Sequence, residues 1–247
     1  MNTIINDDCF NAFDKIEDKS IDLVVVDLPY GQTACKWDSC INLERMWDNL
    51  KKICKDECQY VFFTTTKFGN QLINSNPSWF RYDLVWEKTY ALGFLSAKKQ
   101  PLRGHEMMYV FSNPKIKGVH KPYNLQKTPG KPYIDNRKNA PYKKDHIYAL
   151  ATHCGSINLS GERYPKSVLK YGPNGKKYHR TQKPLELCQW LIKTYSNEGS
   201  LVLDFCMGSG TTIVACINTN RNYIGIEKDE EIFNIAKNRI NLSCPNL

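Results

Sequence analysis

Asp27, Leu28, Pro29 and Tyr30, followed by Gly31, close an apolar run that begins at Ile21. An acid, an apolar residue, a proline and an aromatic at a strand's carboxyl edge form a small polar pocket with an aromatic wall. Such a pocket can hold a planar group carrying an amine, for example an extruded base. A second constellation lies far downstream, where Leu201-Val202-Leu203 leads into Asp204-Phe205-Cys206-Met207-Gly208-Ser209-Gly210-Thr211. Glycines there let the backbone approach a ligand closely, and a helix N-terminus offers unpaired N–H donors. The segment lacks both the third glycine of the dinucleotide fingerprint and a phosphate-loop lysine. Seventeen residues beyond Gly210, Glu227 ends another apolar stretch. An acid at that place grips ribose hydroxyls, or it caps the helix that begins near Asp229. The combination favours a nucleoside cofactor without a demanding pyrophosphate site.

The elements that must position these residues alternate between strand and helix. A short strand near Thr3–Asn6 precedes a helical stretch over Cys9–Ile16. The unbroken run Ile21–Val26 suits a parallel strand covered on both faces. Ile41–Ile53 reads as a helix, Tyr60–Thr64 as a strand and Phe68–Ile73 as a short helix. Trp79–Trp86 and Glu106–Phe111 are strand-like. Pro184 opens a helix through Ser196, followed by strand Ser200–Asp204, helix Thr211–Asn218, strand Asn222–Ile226 and helix Glu230–Asn241. The class expected is α/β, with a twisted, mostly parallel sheet and helices on both faces.

Charge divides the chain. Residues 112–183 carry 16 Lys/Arg against 3 Asp/Glu, a net of +13, while the rest carries 18 against 22. A basic segment on a slightly acidic body suggests a dedicated polyanion-binding surface, the other reading being a solvated lysine-rich loop. Seven tyrosines from Tyr123 to Tyr178 are interleaved with its lysines, and aromatic faces among cations suit a nucleic acid. Some of those tyrosines can equally form a small core. The segment is too long for an ordinary connection, so it reads as a functional insertion. The division expected is 1–111 as the catalytic half of the core, 112–178 as the basic insertion and 179–247 as the cofactor-binding half.

Other classes are disfavoured. No apolar stretch approaches the roughly 18 residues of a membrane span, and the N-terminus lacks the regions of a signal peptide, so an intracellular protein is expected. Neither Cys35/Cys40 nor Cys54/Cys58 has zinc-ribbon spacing, and His153-Cys154 stands alone; the ten cysteines read as reduced packing thiols, with no metal expected. Cys54 and Cys58 are four apart on an expected helix, as one core face would place them.

The residues together resemble an S-adenosylmethionine-dependent, amino-directed DNA methyltransferase of the permuted (beta) class. Asp27-Leu28-Pro29-Tyr30 is similar to that family's Asp-Pro-Pro-Tyr catalytic motif. Asp204-Phe205-Cys206-Met207-Gly208-Ser209-Gly210 is similar to its cofactor motif, Asp-Pro-Phe-x-Gly-Ser-Gly. His179-Arg180-Thr181-Gln182-Lys183-Pro184 is similar to its His-Pro-Thr-Gln-Lys-Pro. The three occur in the family's order, and the likeness covers roughly 1–111 and 179–241. It departs at Leu28, where proline is usual, and at Cys206; leucine retains the backbone carbonyl that the family uses.

The resemblance implies a Rossmann-like methyltransferase fold, with the basic insertion as target-recognition region. It implies Asp27, Leu28, Pro29 and Tyr30 as catalytic residues. For S-adenosylmethionine it implies Asp8, Asp27, Thr181, Lys183, Asp204, Phe205, Gly208, Ser209, Gly210, Thr211 and Glu227. The N-terminal strand ending at Asp8 would fill the sheet position that the C-terminus leaves open. Asp8 would contact the cofactor's adenine amine, and it can also cap the helix starting at Cys9. Lys183 and Thr181 would meet the cofactor's carboxylate; Lys183 can otherwise be a phosphate contact or a solvated lysine. Arg103, which precedes a strand in Gln100-Pro101-Leu102-Arg103-Gly104-His105-Glu106, can lie near the DNA, a packing role for that segment being the equal alternative. The implied reaction is methyl transfer to the adenine 6-amino group in double-stranded DNA. Rival readings are the cytosine 4-amino group, a silent nucleic-acid-binding relative, and a nicotinamide dehydrogenase disfavoured by the missing third glycine. A homodimer and a cognate restriction endonuclease stand open as partners.

Overall fold

The computed structural model describes residues 2–31, 40–116, 122–135, 157–173, 178–179 and 182–243. Thr181, Cys35 and His153-Cys154 lie outside the described residues. The chain forms two compact units, one from Met1–Asn124 with Ser167–Leu247 and one from Leu125–Lys166.

The larger unit is organised by an eight-stranded sheet in the order β1-β10-β9-β2-β3-β5-β4-β8. Its strands are β1 (Asn2–Asn6), β2 (Ile21–Asp27), β3 (Cys54–Thr64), β4 (Phe80–Leu92), β5 (Arg103–Ser112), β8 (Val168–Tyr171), β9 (Leu201–Asp204) and β10 (Asn222–Glu227). Among these, β5 alone runs against its neighbours, pairing antiparallel with β3 and β4. The parallel order follows from β2: its residues Leu23 to Val26 are all fully buried, so apolar side chains face both ways. Alternate residues feed two cores. Val24, Val26, Phe62, Phe111 and Leu203 pack on one side with Trp47, Leu50 and Phe68. Leu23, Val25, Val61, Phe63 and Val202 pack on the other with Leu187, Leu191 and Ile213.

The helices are α1 (Cys9–Ala12), α2 (Leu43–Ile53), α3 (Thr66–Ser75), α4 (Leu185–Tyr195), α5 (Thr211–Ile217) and α6 (Glu230–Ser243). Helix α2 starts on the Asn42 side chain, which accepts from the Arg45 N–H, and buries Met46, Trp47, Leu50 and Ile53. Trp47 also donates its indole N–H to Ser75 Oγ at 2.8 Å, satisfying the one polar atom of that ring inside the core. Pro184 precedes α4 as its cap residue.

The sheet order brings the two chemistry-bearing blocks together. β2 and β9 are parallel neighbours, with Leu23 opposite Val202 and Val24 opposite Leu203. Asp27 and Asp204 therefore both end their strands at the carboxyl edge, where the strand order reverses direction. β1 pairs parallel with β10, Asn6 opposite Glu227, and fills the sheet position as expected.

Two sequence expectations change. Cys54 and Cys58 belong to β3 and not to a helix: α2 ends at Ile53, and Cys54 already has an extended backbone at φ −88° and ψ 146°. A four-residue spacing lies on one face of either element, so both thiols are buried all the same. Within the basic segment, Val168–Tyr171 forms β8 and extends the main sheet along β4, with Leu169 buried.

In the smaller unit, β6 (Tyr133–Ile134) pairs antiparallel with β7 (Ile157–Asn158). Arg163 organises it: its guanidinium donates to the Gly161 carbonyl at 2.5 Å and to the Lys131 carbonyl, and lies 4.8 Å over the Tyr133 ring. Gly161 has φ +74°, and a side chain there would meet the Gly130 carbonyl. No helix among the described residues is long and apolar enough to cross a membrane.

Candidate active site

At the carboxyl edge the end of β2 opens on a pocket lined by both chemistry-bearing blocks. Asp27, Lys183, Asp204, Gly208, Ser209 and Thr211 are among its walls, so two segments far apart in sequence share one cavity.

Asp27 is held from two sides. Lys183 Nζ lies 2.5 Å from Asp27 Oδ2, and the Tyr30 hydroxyl donates to Oδ1. Lys183 also faces Glu106 Oε2 at 3.4 Å, and Lys88 Nζ bonds Glu106 Oε1 at 2.6 Å. A chain of alternating charge thus runs Lys88, Glu106, Lys183, Asp27. Burial opposes the charge on Lys183, but Asp27 and then Glu106 outweigh it and raise its pKa. Burial likewise opposes the charge on Glu106, yet Lys183 and Lys88 bring its pKa below the usual value. The Phe63 ring lies 5.2 Å from Lys183 Nζ and floors this part of the pocket. Tyr30 sits beside Phe68, ring centroids 5.2 Å apart, at the edge of the first core. Leu28 is buried in that core, its side chain packed among apolar residues.

The second block is a turn between β9 and α5. Gly208 and Gly210 have φ of +52° and +75°, a backbone that other residues adopt at a cost. Gly208 N–H donates to Glu227 Oε2 at 3.0 Å and Asp229 N–H to Oε1 at 3.0 Å, so Glu227 both ties this turn and caps the chain entering α6. Burial raises the Glu227 pKa. Asp204 is buried, accepting from Cys206 N–H at 3.2 Å and from the Thr212 hydroxyl. Burial above all, then Asp27 and Glu227, push its carboxyl up to about 7. Phe205 turns into the first core, edge-on to Phe13 at 5.4 Å.

β1 ends at Asn6, two residues before the expected Asp8; Asp8 is the cap residue of α1 and accepts from Phe10 N–H at 2.9 Å, the capping role open to it. Arg103 begins β5, outside the pocket described. Three residues escaped the sequence reading. Glu106 and Lys88 carry the charge chain, although an acid at the head of an apolar strand was a signal. Arg239, buried in α6, donates to the Ser209 carbonyl at 3.0 Å and to Thr211 Oγ1 at 2.8 Å, and so fixes the turn. Among the described residues no group of three or more His, Cys, Asp or Glu could hold a metal ion.

The family model for the DNA methylases of N6/N4 type matches residues 21–238, most of the chain. The chain belongs to the DNA methylase family. As a member it is an S-adenosylmethionine-dependent, amino-directed DNA methyltransferase, as its motifs implied, and DNA is its substrate. The enzyme is 30% identical to the Type II methyltransferase M1.MboII of Moraxella bovis, over 96% of this chain and 95% of that one. It is 26% identical to M.HinfI of Haemophilus influenzae, over its full length and 70% of that protein. Its fold is shared with M1.HpyAVI, solved as a complex with S-adenosylmethionine, at a TM-score of 0.65, 23% identity, and coverage of 98% and 100% of the two chains. It is shared too with the cytosine-N4-specific PvuII DNA methyltransferase, at a TM-score of 0.67, 15% identity, and coverage of 96% and 86%. The Rossmann-like methyltransferase fold expected from the motifs is the fold observed.

Proposed function

We propose that the enzyme methylates the 6-amino group of adenine within a specific DNA sequence, through Asp27, Leu28, Pro29 and Tyr30. The observation that carries this reading is the Asp27 carboxylate in the same pocket as the Gly208–Thr211 turn. S-adenosylmethionine supplies an electrophilic methyl group on a positively charged sulfur. An exocyclic amine is a poor nucleophile because its lone pair is delocalised into the ring. Asp27 and the Leu28 carbonyl accept its two N–H hydrogens and draw the nitrogen toward tetrahedral geometry. A carboxylate has about four acceptor sites, so Asp27 can serve Lys183, Tyr30 and the amine together. Tyr30 stacks on the extruded base, and Asp27 takes the proton after transfer. An acid at position 27 supports adenine over the cytosine 4-amino group, which fits the same family and for which serine is the commoner residue there.

Asp204, Phe205, Gly208, Ser209, Gly210 and Thr211 form the cofactor turn in this reading, Phe205 through its backbone. Glu227 keeps acceptor capacity for ribose hydroxyls beyond its two backbone bonds. Asp8 takes the cofactor's adenine amine, and Thr181 with Lys183 its carboxylate. The basic segment, 112–178 by composition, reads the target between a catalytic half 1–111 and a cofactor half 179–247. A second copy of the chain and a restriction endonuclease of the same sequence specificity complete the set of proposed partners.

The test is transfer of labelled methyl groups to DNA by Asp27→Ala and the isosteric Asp27→Asn. Both should lose transfer and keep S-adenosylmethionine binding. Retained turnover in the Asn variant sinks the mechanism.

A further inference from the structure

The β4–β5 hairpin carries a feature that the reaction as described does not use. β3 ends at Thr64, opposite Met107, whereas β5 continues back to Arg103. Four residues at about 3.3 Å each take the hairpin roughly 13 Å past the edge on which Asp27 lies. There Leu92 pairs with Arg103, Gly93 turns at φ +94°, and Phe94–Ser96 forms a short 3-10 turn. The tip is an ordered structure: Ser96 N–H donates to the Gly93 carbonyl, Ala97 N–H to Phe94, and Lys99 and Gln100 N–H both to Ser96, at 2.8–3.0 Å. On it Phe94 is 82% exposed and Leu95 fully so, side by side.

Single exposed apolar residues are ordinary on protein surfaces. An adjacent Phe and Leu on a hydrogen-bonded tip is a different arrangement, and its charge points to one occupant. Between Lys88 and Arg103 the chain carries Lys98 and Lys99 and no acid at all. A basic rim suits phosphates, and Phe and Leu are side-chain types that wedge between base steps. An enzyme that works on an extruded base leaves a gap in the stack from which that base came.

We propose that Phe94 and Leu95 form an apolar wedge that enters the duplex at the target and fills the space vacated by the extruded base, with Lys98, Lys99 and Arg103 on the flanking phosphates. This inference rests on the proposed transfer to an extruded base. The wedge acts on extrusion and not on chemistry, so its loss matters only where the target is paired and stacked.

The test compares the parent with a Phe94→Ala, Leu95→Ala double variant on two oligonucleotide duplexes. Both carry the sequence that the parent methylates in host DNA, one with the target base paired and one with it opposite an abasic site. The variant should lose at least tenfold in turnover on the paired duplex, recover to within about twofold of the parent on the other, and bind S-adenosylmethionine as the parent does. Equal losses on both duplexes overturn the wedge. So does full activity on both, and a change in sedimentation with it assigns the tip to protein association. A parent that leaves no recurring methylated base in host DNA removes the proposed reaction itself, and the wedge with it.

Discussion

Replacing Asp204 by Asn should remove a proton that the enzyme releases on binding S-adenosylmethionine. Asp204 is 3% exposed, and burial, reinforced by Asp27 and Glu227, lifts its carboxyl from 3.8 to about 7. Between those values the folded chain holds a proton that the unfolded chain has released. The sign is therefore that of a penalty: stability falls as pH rises from about 4 to about 7, by at most some 4 kcal/mol at 1.36 kcal/mol per unit. In the proposed site, a positively charged sulfonium held near Asp204 would favour its ionised form. At pH 6 about nine in ten molecules carry the proton and at pH 8.5 almost none, so binding expels it only at the lower pH. Titration calorimetry in two buffers of different ionisation heat counts it directly. The parent should release about half to one proton more at pH 6 than Asp204→Asn, and its affinity should rise toward pH 8 by up to about tenfold per unit below the pKa. Identical proton counts in parent and variant would mean that Asp204 is already ionised before the cofactor binds.

The charge chain and the basic segment give two more tests. Glu106→Gln leaves Lys88 without the carboxylate at 2.6 Å and Lys183 with Asp27 alone, so unfolding by urea should show a loss of about 2–4 kcal/mol. The undivided Lys183 then draws more of the Asp27 charge, so that Asp27 polarises the amine less, and kcat should fall more than KM changes; an unaltered midpoint and kcat would count against the chain. Replacing Lys127, Lys131 and Lys166 by Ala should weaken DNA binding and lower the salt dependence of log K by about 0.9 for each phosphate that is no longer neutralised. An unchanged slope places the DNA surface elsewhere.

How far the sequence reveals this molecule depends on the kind of signal. Ile21–Val26 announces a strand buried on both faces, and the strand–turn–helix at Leu201–Thr212 is equally local. Their meeting is a matter of topology: parallel crossovers set β2 beside β9, and the open place beside β10 suits the N-terminal strand. Local patterns fail where one spacing serves two elements. Cys54 and Cys58 fit one face of a helix as well as one face of a strand, and only the end of α2 at Ile53 decides. Val168–Tyr171 is too short to stand out among lysines and glycines, and becomes a strand by pairing with β4. The charge chain is hidden for another reason. Glu106 and Lys88 lie on adjacent antiparallel strands and Lys183 comes from beyond the basic segment, so nothing in their spacing joins them. Arg239 reads as a solvated residue of an amphipathic helix, yet Ser209 and Thr211 make its burial tolerable by accepting its hydrogen bonds.

Methyl transfer to adenine at a specific sequence depends on Asp27 throughout the proposed mechanism. Expressing the chain in a host without DNA methylation and sequencing that host's DNA by a modification-sensitive method tests it most directly. N6-methyladenine is expected at one recurring sequence, absent when Asp27→Asn is expressed instead. N4-methylcytosine, or modification that persists in the variant, would contradict it.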